Sequence, residues 1–246
     1  MQKLYLGPDL FYRDFRENIG GGLKSEETGW IPGIQGVYDF NVPQKFYGGV
    51  DVRWAKGQTL YDGSLTQPLG KTSSYQSHTD NTFFNIEGRS GYPFSVHCRK
   101  WSLTPFLGGG YQSWSRRSVN KVVGYDELYT WAYLAEGLRF SWNFSKSWQT
   151  GIHLKWMQPL NGKVEIHNLI SKDITLNLGS ELQIEVEALL AGTVGFSSIG
   201  FCFIPYFRFL PIGKSEEKTW EEKQIFEPSS VTIVAGFRLE FSYTLK

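Results

Sequence analysis

The chain has 246 residues, 16% of them aromatic, and its 25 Lys and Arg against 24 Asp and Glu give a formal net charge of +1. Because nucleic-acid-binding proteins concentrate basic surface, this balance argues against a nucleic-acid partner. No window approaches the roughly eighteen consecutive apolar residues of a membrane-spanning helix. Neither a Pro/Ser-rich linker nor a charge run divides the chain, so we expect one domain over residues 1–246.

The N-terminal half alternates apolar and polar side chains with a period of two residues, which is typical of β-strands. Residues 4–16 alternate in this way and are followed by a Gly-rich polar stretch. Two further strands flank the short turn at residues 41–44, which predicts a hairpin. A long polar connection over residues 57–81 leads to the next alternating segment, residues 82–92.

The C-terminal half continues the same rhythm of alternating strands, short turns and long polar loops. Its polar loops are expected at residues 115–127, 161–179 and 214–228. The last strand places Phe237 and its apolar neighbours on one face, and Arg238 and Glu240 on the other. One face of each strand therefore suits an apolar environment and the other a polar one.

This pattern predicts an all-β fold, an antiparallel up-and-down transmembrane β-barrel of about ten strands. Trp residues near the strand ends predict two aromatic girdles at the membrane surfaces, as in known membrane proteins. The expected girdle residues are Trp30, Trp54, Trp101, Trp114, Trp142, Trp148 and Trp156. A soluble β-sandwich or a lipocalin-like barrel also alternates and is the alternative interpretation.

The final strand resembles the C-terminal assembly signal of Gram-negative outer-membrane proteins, with Gly236, Leu239 and Phe241 at the matching positions. It departs from that pattern in having Val234 where a polar residue is usual, and in not ending on an aromatic residue. The resemblance implies a location in the bacterial outer membrane, with the bilayer, lipopolysaccharide and the outer-membrane assembly machinery as partners. Because a strand follows Met1 where a signal peptide would stand, we expect the mature form of the chain.

If the apolar faces contact lipid, the charged faces line the lumen. The predicted lumen residues are Asp9, Arg13, Asp51, Arg53, Glu87, Arg89, Arg139, His153, Lys155, Glu185, Glu187, Arg208, Arg238 and Glu240. In so narrow a barrel, acids and bases in similar numbers can pair and plug the lumen. A narrow polar channel lined by the same side chains is the alternative.

Glu136 does not fit the pattern, because the phase that sends Leu134 and Leu138 outward also sends this carboxyl outward. Two explanations are open at this point. A β-bulge near Ala135 would turn Glu136 inward, or the residue lies near a membrane surface.

Barrels of about ten strands include the omptin proteases, which use Asp pairs and a His/Asp dyad at the extracellular rim. His78 and Asp80 lie in a long loop here, but the remaining members of that pattern are missing. Lipid A deacylase-like chemistry would need a Ser/His pair on an outer face, whereas His153 is expected to face inward. We therefore expect no enzymatic activity, and an omptin-like hydrolase is the remote alternative.

The two cysteines, Cys98 and Cys202, are expected to be free thiols near the periplasmic end of the barrel; a disulfide between them is the alternative in that oxidising compartment. Two thiols without further ligands at suitable spacing are too few for a metal site, and we expect no metal and no cofactor.

The function expected from these observations is that of a monomeric surface protein that binds an extracellular ligand or surface through its loops. Tyr61, Tyr75, Tyr125 and Trp220 are the aromatic residues expected to be exposed there. A narrow porin-like channel for small solutes is the alternative. The identity of the ligand or solute is not contained in the sequence.

Overall fold

The computed structural model describes residues 2–19, 25–42, 44–66, 72–96, 100–119, 125–169, 172–193, 198–220 and 223–245. This part of the chain contains no helix that is long and apolar enough to cross a membrane. The strands are β1 (Gln2–Glu17), β2 (Ser25–Val42), β3 (Phe46–Thr66), β4 (Thr72–Gly91), β5 (Phe94–Val96), β6 (Trp101–Ser118), β7 (Asp126–Asn143), β8 (Trp148–Leu169), β9 (Lys172–Asn177), β10 (Gln183–Thr193), β11 (Ile199–Ile212), β12 (Lys218–Trp220), β13 (Lys223–Ile225) and β14 (Ser230–Leu245).

The long strands form one closed antiparallel barrel. Each pairs with its neighbours in chain order, and β14 pairs with β1 to close the circle. The strands β9 and β10 share one position, because both pair with β8 at different heights. The strand β5 is a short addition beside β6, and β12 and β13 form a separate hairpin. The barrel thus has ten strand positions, which confirms the predicted fold.

The strands are strongly staggered around the barrel. The row of paired residues that starts at Asp14 passes through Ile233 and Glu136 and returns to β1 at Gln2, twelve residues lower. Closed barrels achieve such a stagger by tilting their strands by about 35–45°. At that tilt, each residue adds about 2.5 Å of height along the barrel axis.

Alternating side chains give the barrel an apolar outer surface. On β14, Ile233, Phe237, Leu239 and Phe241 are exposed, while Arg238 between them is buried inside. Exposed apolar side chains form a band around all the strands, as expected where a barrel contacts the hydrocarbon of a bilayer. The opposition of apolar and charged faces in the last strand is therefore explained: one face contacts lipid and the other lines the lumen.

The strands extend much further at one end of the barrel than at the other. Gln2, Leu245 and the short connections after Val42 and Asn143 lie at one end, which is the periplasmic arrangement of outer-membrane barrels. At the other end, β3 and β4 remain paired up to Thr66 and Thr72, and β8 and β9 up to Leu169 and Lys172. The connections expected over residues 57–81 and 161–179 are thus mainly extended β-hairpins. The prediction of irregular loops was wrong there because polar side chains on both faces of a solvated hairpin hide its strand character.

The predicted girdle residues face outward with one exception. Trp101 and Trp142 stack at a centroid distance of 5.0 Å near the periplasmic end, and Trp148 is exposed beside them. Trp30, Trp54 and Trp156 face outward in the other half of the band. Trp114 was assigned wrongly: it is only 2% exposed and lies inside the barrel. Its neighbours Ser113 and Ser115 face outward, so the alternation of side chains turns Trp114 inward even though it lies near a strand end.

Candidate functional site

The periplasmic half of the lumen is filled by a continuous set of ion pairs and hydrogen bonds, here called the inner charge network; Gln35 links Asp51 to Arg53 in it. Its members are Asp9, Asp39, Asp51, Arg53, Glu87, Arg89, Arg139, His153, Lys155, Glu185, Glu187, Arg208, Arg238 and Glu240. All the predicted lumen residues point inward, and all of them except Arg13 belong to this network. Seven carboxylates face six permanent cations and His153, so their charges nearly balance.

Lys155 is the central link of the inner charge network. Its Nζ lies 2.9 Å from a carboxylate oxygen of Glu87 and 2.9 Å from one of Glu185. Glu185 also pairs with Arg208, and Glu87 lies 3.7 Å from Arg89. These residues come from strands on opposite sides of the barrel, so the ion pairs cross the lumen. A solute entering along the axis would have to break them.

A second arm of the network leads to the periplasmic opening. Arg139 Nη1 lies 3.1 Å from Asp39, and its Nε donates a hydrogen bond of 3.1 Å to His153 Nε2. His153 Nδ1 is 3.3 Å from Glu187, which accepts a hydrogen bond of 2.8 Å from Arg238. His153 points into the lumen, and both of its ring nitrogens have partners there.

Two cavities border the network. One of about 220 Å³ opens at the periplasmic end and is lined by both signs of charge, including Lys3, Arg139 and Glu240. The other, of about 60 Å³, lies deeper between the network and the aromatic side chains of Phe11 and Trp114. A space of that size holds only a few water molecules. Asp51 borders both cavities, so the network separates them.

Aromatic and aliphatic side chains fill the lumen above the network. Trp114 stacks on Tyr129 with ring centroids 4.5 Å apart and packs edge-on against Phe15 at 5.2 Å. The guanidinium of Arg13 lies 4.0 Å over the Trp114 ring, a geometry in which a cation is attracted to the aromatic face. Leu176, fully buried, adds to the same packed region. This packed group, here called the aromatic plug, fills that part of the lumen.

At the extracellular mouth lies a second polar group, here called the outer charge cluster. It consists of Arg13, Glu17, Glu27, Arg116, Glu127 and Glu227. Arg116 contacts three carboxylates: Glu27 at 2.8 Å, Glu127 at 2.7 Å and Glu17 at 3.2 Å. Glu27 also accepts hydrogen bonds from Thr59 and Asn81. The cluster has four acids and two bases.

The excess of acid shifts the titration of this cluster, which lies above the outer aromatic girdle. Burial, together with the nearby carboxylate of Glu17, raises the pKa of Glu127 to about 7. Burial and Glu127 likewise raise the pKa of Glu227 well above its usual range. Against the effect of burial, the two guanidiniums lower the pKa of Glu27 to about 2. The cluster therefore holds one acid with a lowered pKa, Glu27, and two with raised pKa values, Glu127 and Glu227.

Several lumen residues were missed from the sequence. Asp39 lies in a predicted hairpin. Because its neighbour Tyr38 faces outward, the alternation of side chains could have placed Asp39 inside. Glu27, Arg116 and Glu127 fall in stretches that polar composition assigned to loops. Continuing the alternation of the adjoining strands would have placed them inside.

The extracellular end carries a rim built from two parts of the chain. The amide N of Glu216 donates a hydrogen bond of 3.1 Å to the carbonyl of Asn177, and the Asn177 side chain donates one of 2.9 Å back to Glu216. A bridge between Gly179 and Gly213 joins the same segments. The connection after β11 is thus held against the β8–β9 hairpin, which gives the rim a defined shape on this side.

Other predicted surface residues are placed as follows. His78 is exposed on the outward face of the β3–β4 hairpin, and Asp80 on that face accepts a hydrogen bond from Gln58. Tyr61 and Tyr75 are half-buried and face each other at 6.2 Å, so their predicted exposure was wrong; they point into the mouth. Tyr125 is 42% exposed, as predicted. The side chain of Trp220 lies outside the described residues.

The remaining predicted sites concern the cysteines and the last strand. Cys202 is a free, buried thiol on β11, and Cys98 lies outside the described residues. Within the described part of the chain, no group of three or more His, Cys, Asp or Glu side chains is arranged to hold a metal ion. Leu239 and Phe241 of the predicted assembly signal face outward, and Gly236 packs against Phe11, where an added Cβ would lie 2.6 Å from the Phe11 Cβ.

Known proteins share the architecture without close sequence similarity. No protein-family model and no curated protein matches the chain. The outer membrane protease OmpT from Escherichia coli is similar in structure, with a TM-score of 0.64 and 9% identity over 99% of this chain and 97% of that one. The fold is that of an outer-membrane β-barrel. The transport unit of the autotransporter AIDA-I from Escherichia coli has a TM-score of 0.53 and 12% identity over 98% of this chain and 90% of that one. At such identities the similarity carries no activity across.

Proposed function

We propose that this protein acts at the bacterial surface, binding an extracellular ligand or surface through its protruding hairpins. The observation that carries the proposal is a lumen crossed by the inner charge network and filled by the aromatic plug, beneath an extended rim. Beside the inner charge network and the aromatic plug lie two cavities of about 220 Å³ and 60 Å³. The β3 strand, in contrast, continues twelve residues beyond Trp54 to Thr66, a height of about 30 Å at the expected tilt.

The hairpin surface has the composition of an interaction site. Its outward face carries Gln58, Leu60, Gln76, His78 and Asp80, a mixture of apolar, amide and ionisable groups. Protein interfaces combine such polar groups with scattered apolar contacts. Tyr61 and Tyr75 pack against each other inside the mouth, and side chains already held in place lose less entropy on binding.

A shortened hairpin tests the proposal. Thr59 and Thr79 are directly paired, so residues 60–78 can be replaced by an Asn-Gly turn that suits a two-residue hairpin. Cells displaying the wild type should adhere to at least one member of a panel of purified matrix proteins and glycans, and the shortened variant should lose that adhesion. The double variant Glu187→Gln/Arg238→Met, which neutralises a lumen pair, should keep it. Adhesion that is lost in the double variant and kept in the shortened variant would contradict the proposal.

A gated channel is the second candidate. The periplasmic cavity and the deeper cavity share Asp51 and are separated only by side chains. Rearrangement of Arg53, which lies 3.5 Å from Asp9 and 4.0 Å from Glu185, would join them. A channel of this kind would conduct only after the network opens, and the aromatic plug above would have to move as well.

A further inference from the structure

The connection between β11 and β14 places an acidic side chain inside the extracellular mouth. Its last part, residues 223–229, is here called the strap. Phe226 of the strap is 41% exposed, whereas Glu227 beside it is only 4% exposed. The hydroxyl of Tyr129, a fully buried residue of β7, donates a hydrogen bond of 2.5 Å to Glu227 Oε1. Ile225 packs against the buried core. The strap thus reaches into the mouth with one apolar and one ionisable side chain.

Backbone hydrogen bonds hold the strap in the position that buries Glu227. The amide of Ser215 donates a hydrogen bond of 3.0 Å to the carbonyl of Glu227, and the Glu227 amide donates one of 2.8 Å to Ser215 Oγ. The carbonyl of Ser229 accepts a hydrogen bond of 2.8 Å from the amide of Asn18, just after β1. The bond to Tyr129 joins the strap to the barrel wall, so the charge on Glu227 bears directly on docking.

The mouth around Glu227 holds more acids than bases. The charged and titratable side chains there come from five strands: Arg13 and Glu17 from β1, Glu27 from β2, Tyr61 from β3, Arg116 from β6, and Tyr125, Glu127 and Tyr129 from β7 or the residue before it. Strands β8 and β9 contribute apolar side chains, namely Val164, Ile166, Ile174 and Leu176. Two guanidiniums match two of the four carboxyls, so the charges balance when the other two carboxyls hold a proton.

Glu127 and Glu227 are the carboxyls that suit the protonated form. Glu27 contacts both guanidiniums at 2.8 Å, which lower its pKa to about 2 against the effect of burial. Burial raises the pKa of Glu127 to about 7. Burial and Glu127 raise the pKa of Glu227 well above its usual range, and they outweigh the Tyr129 hydrogen bond, which favours the ionised form. A carboxyl that carries a proton both donates and accepts hydrogen bonds and needs no cation.

We propose that the strap is a pH-sensitive cover of the extracellular mouth, docked while Glu227 is protonated and released when this carboxyl ionises. On release the proton passes to water, and the Glu227 carboxylate regains the hydration that it lacks when buried. Repulsion from Glu127, once ionised, acts in the same direction. The rim contact between Glu216 and Asn177 lies outside the strap and persists. Release uncovers Tyr129 and the other polar side chains of the mouth.

Hydrogen–deuterium exchange of the folded protein in lipid vesicles tests the proposal. Exchange is followed by mass spectrometry at pH 5.5, 6.5 and 7.5 and expressed as protection factors, which correct for the intrinsic effect of pH. Release of one proton on undocking shifts the equilibrium tenfold per pH unit between the ordinary and the docked pKa of the carboxyl. Protection over residues 223–229 should therefore fall about tenfold from pH 5.5 to 6.5. Protection over β9, which is not part of the strap, should stay constant.

A neutral replacement separates the charge of Glu227 from its position. Glu227→Gln keeps an acceptor for the Tyr129 hydroxyl and carries no charge, so its strap should be equally protected at all three pH values. Glu217→Gln removes an exposed acid of the same connection, one that pairs with Lys214; it is the matched control and should keep the wild-type decline. Wild-type protection that does not change with pH would overturn the proposal, and so would an unaltered decline in a folded Glu227→Gln barrel.

Discussion

Removing Arg116 should open the extracellular end of the barrel. Its guanidinium neutralises three carboxylates within 3.2 Å, and its side chain is only 9% exposed. In Arg116→Met, two of them, Glu17 and Glu127, lose the base that they contact in the cluster, and Glu27 keeps only Arg13. Breaking a buried ion pair by removing one partner costs about 3–5 kcal/mol. Arg117→Met, the exposed neighbour, is the control and should cost less than about 0.5 kcal/mol.

The loss of stability in Arg116→Met should increase with pH. A carboxyl whose pKa is raised on folding contributes stability below its ordinary value of 4.5, and that contribution is lost as pH rises through its folded pKa, about 7 for Glu127. Without Arg116 the repulsion grows, so the penalty should be larger at pH 8 than at pH 5. Denaturant unfolding in lipid vesicles, followed by Trp fluorescence, measures the free energy of unfolding at both pH values. Equal losses for the two Arg variants, or a penalty larger at pH 5, would refute this reasoning.

Three further predictions follow from single contacts. Lys155→Met should destabilise the barrel by about 3 kcal/mol or more because two carboxylates lose their shared cation, whereas exposed Lys163→Met should not; unfolding in vesicles compares them. Glu127→Gln should flatten the decline in stability that the wild type shows as pH rises from 5 to 8, and an unchanged decline would contradict the assignment. Gly137→Ala should cost about 1–3 kcal/mol, since its Cβ would meet a backbone carbonyl of β8, while Gly88→Ala should be neutral by the same measurement.

The period of two residues was enough to predict the barrel and its inner surface. Arg238 and Glu240 could be placed inside because the apolar residues around them leave only one face for charge. Within the membrane most outward positions are apolar, with Glu136 as an exception, so the pattern is strong and strand phase can be followed without knowledge of the partners.

Above the membrane this constraint disappears. Polar residues occur on both faces of the extended β3–β4 hairpin, so composition alone suggested a loop. The pairing of Arg116 with Glu27, which lie 89 residues apart, depends on barrel register and is not visible in the chain order. Trp114 was misplaced because an aromatic residue near a strand end suits both a girdle and a packed lumen, and only its phase distinguishes them.

The closed lumen is the central claim, and single-channel conductance of the refolded protein in a planar bilayer tests it most directly, after heat-modifiable migration on a gel has confirmed folding. The inner charge network and the aromatic plug predict no steady conductance from the inserted wild-type barrel. A steady conductance whose size or ion selectivity changes in Arg53→Met or Arg238→Met would contradict that claim and make the protein a channel.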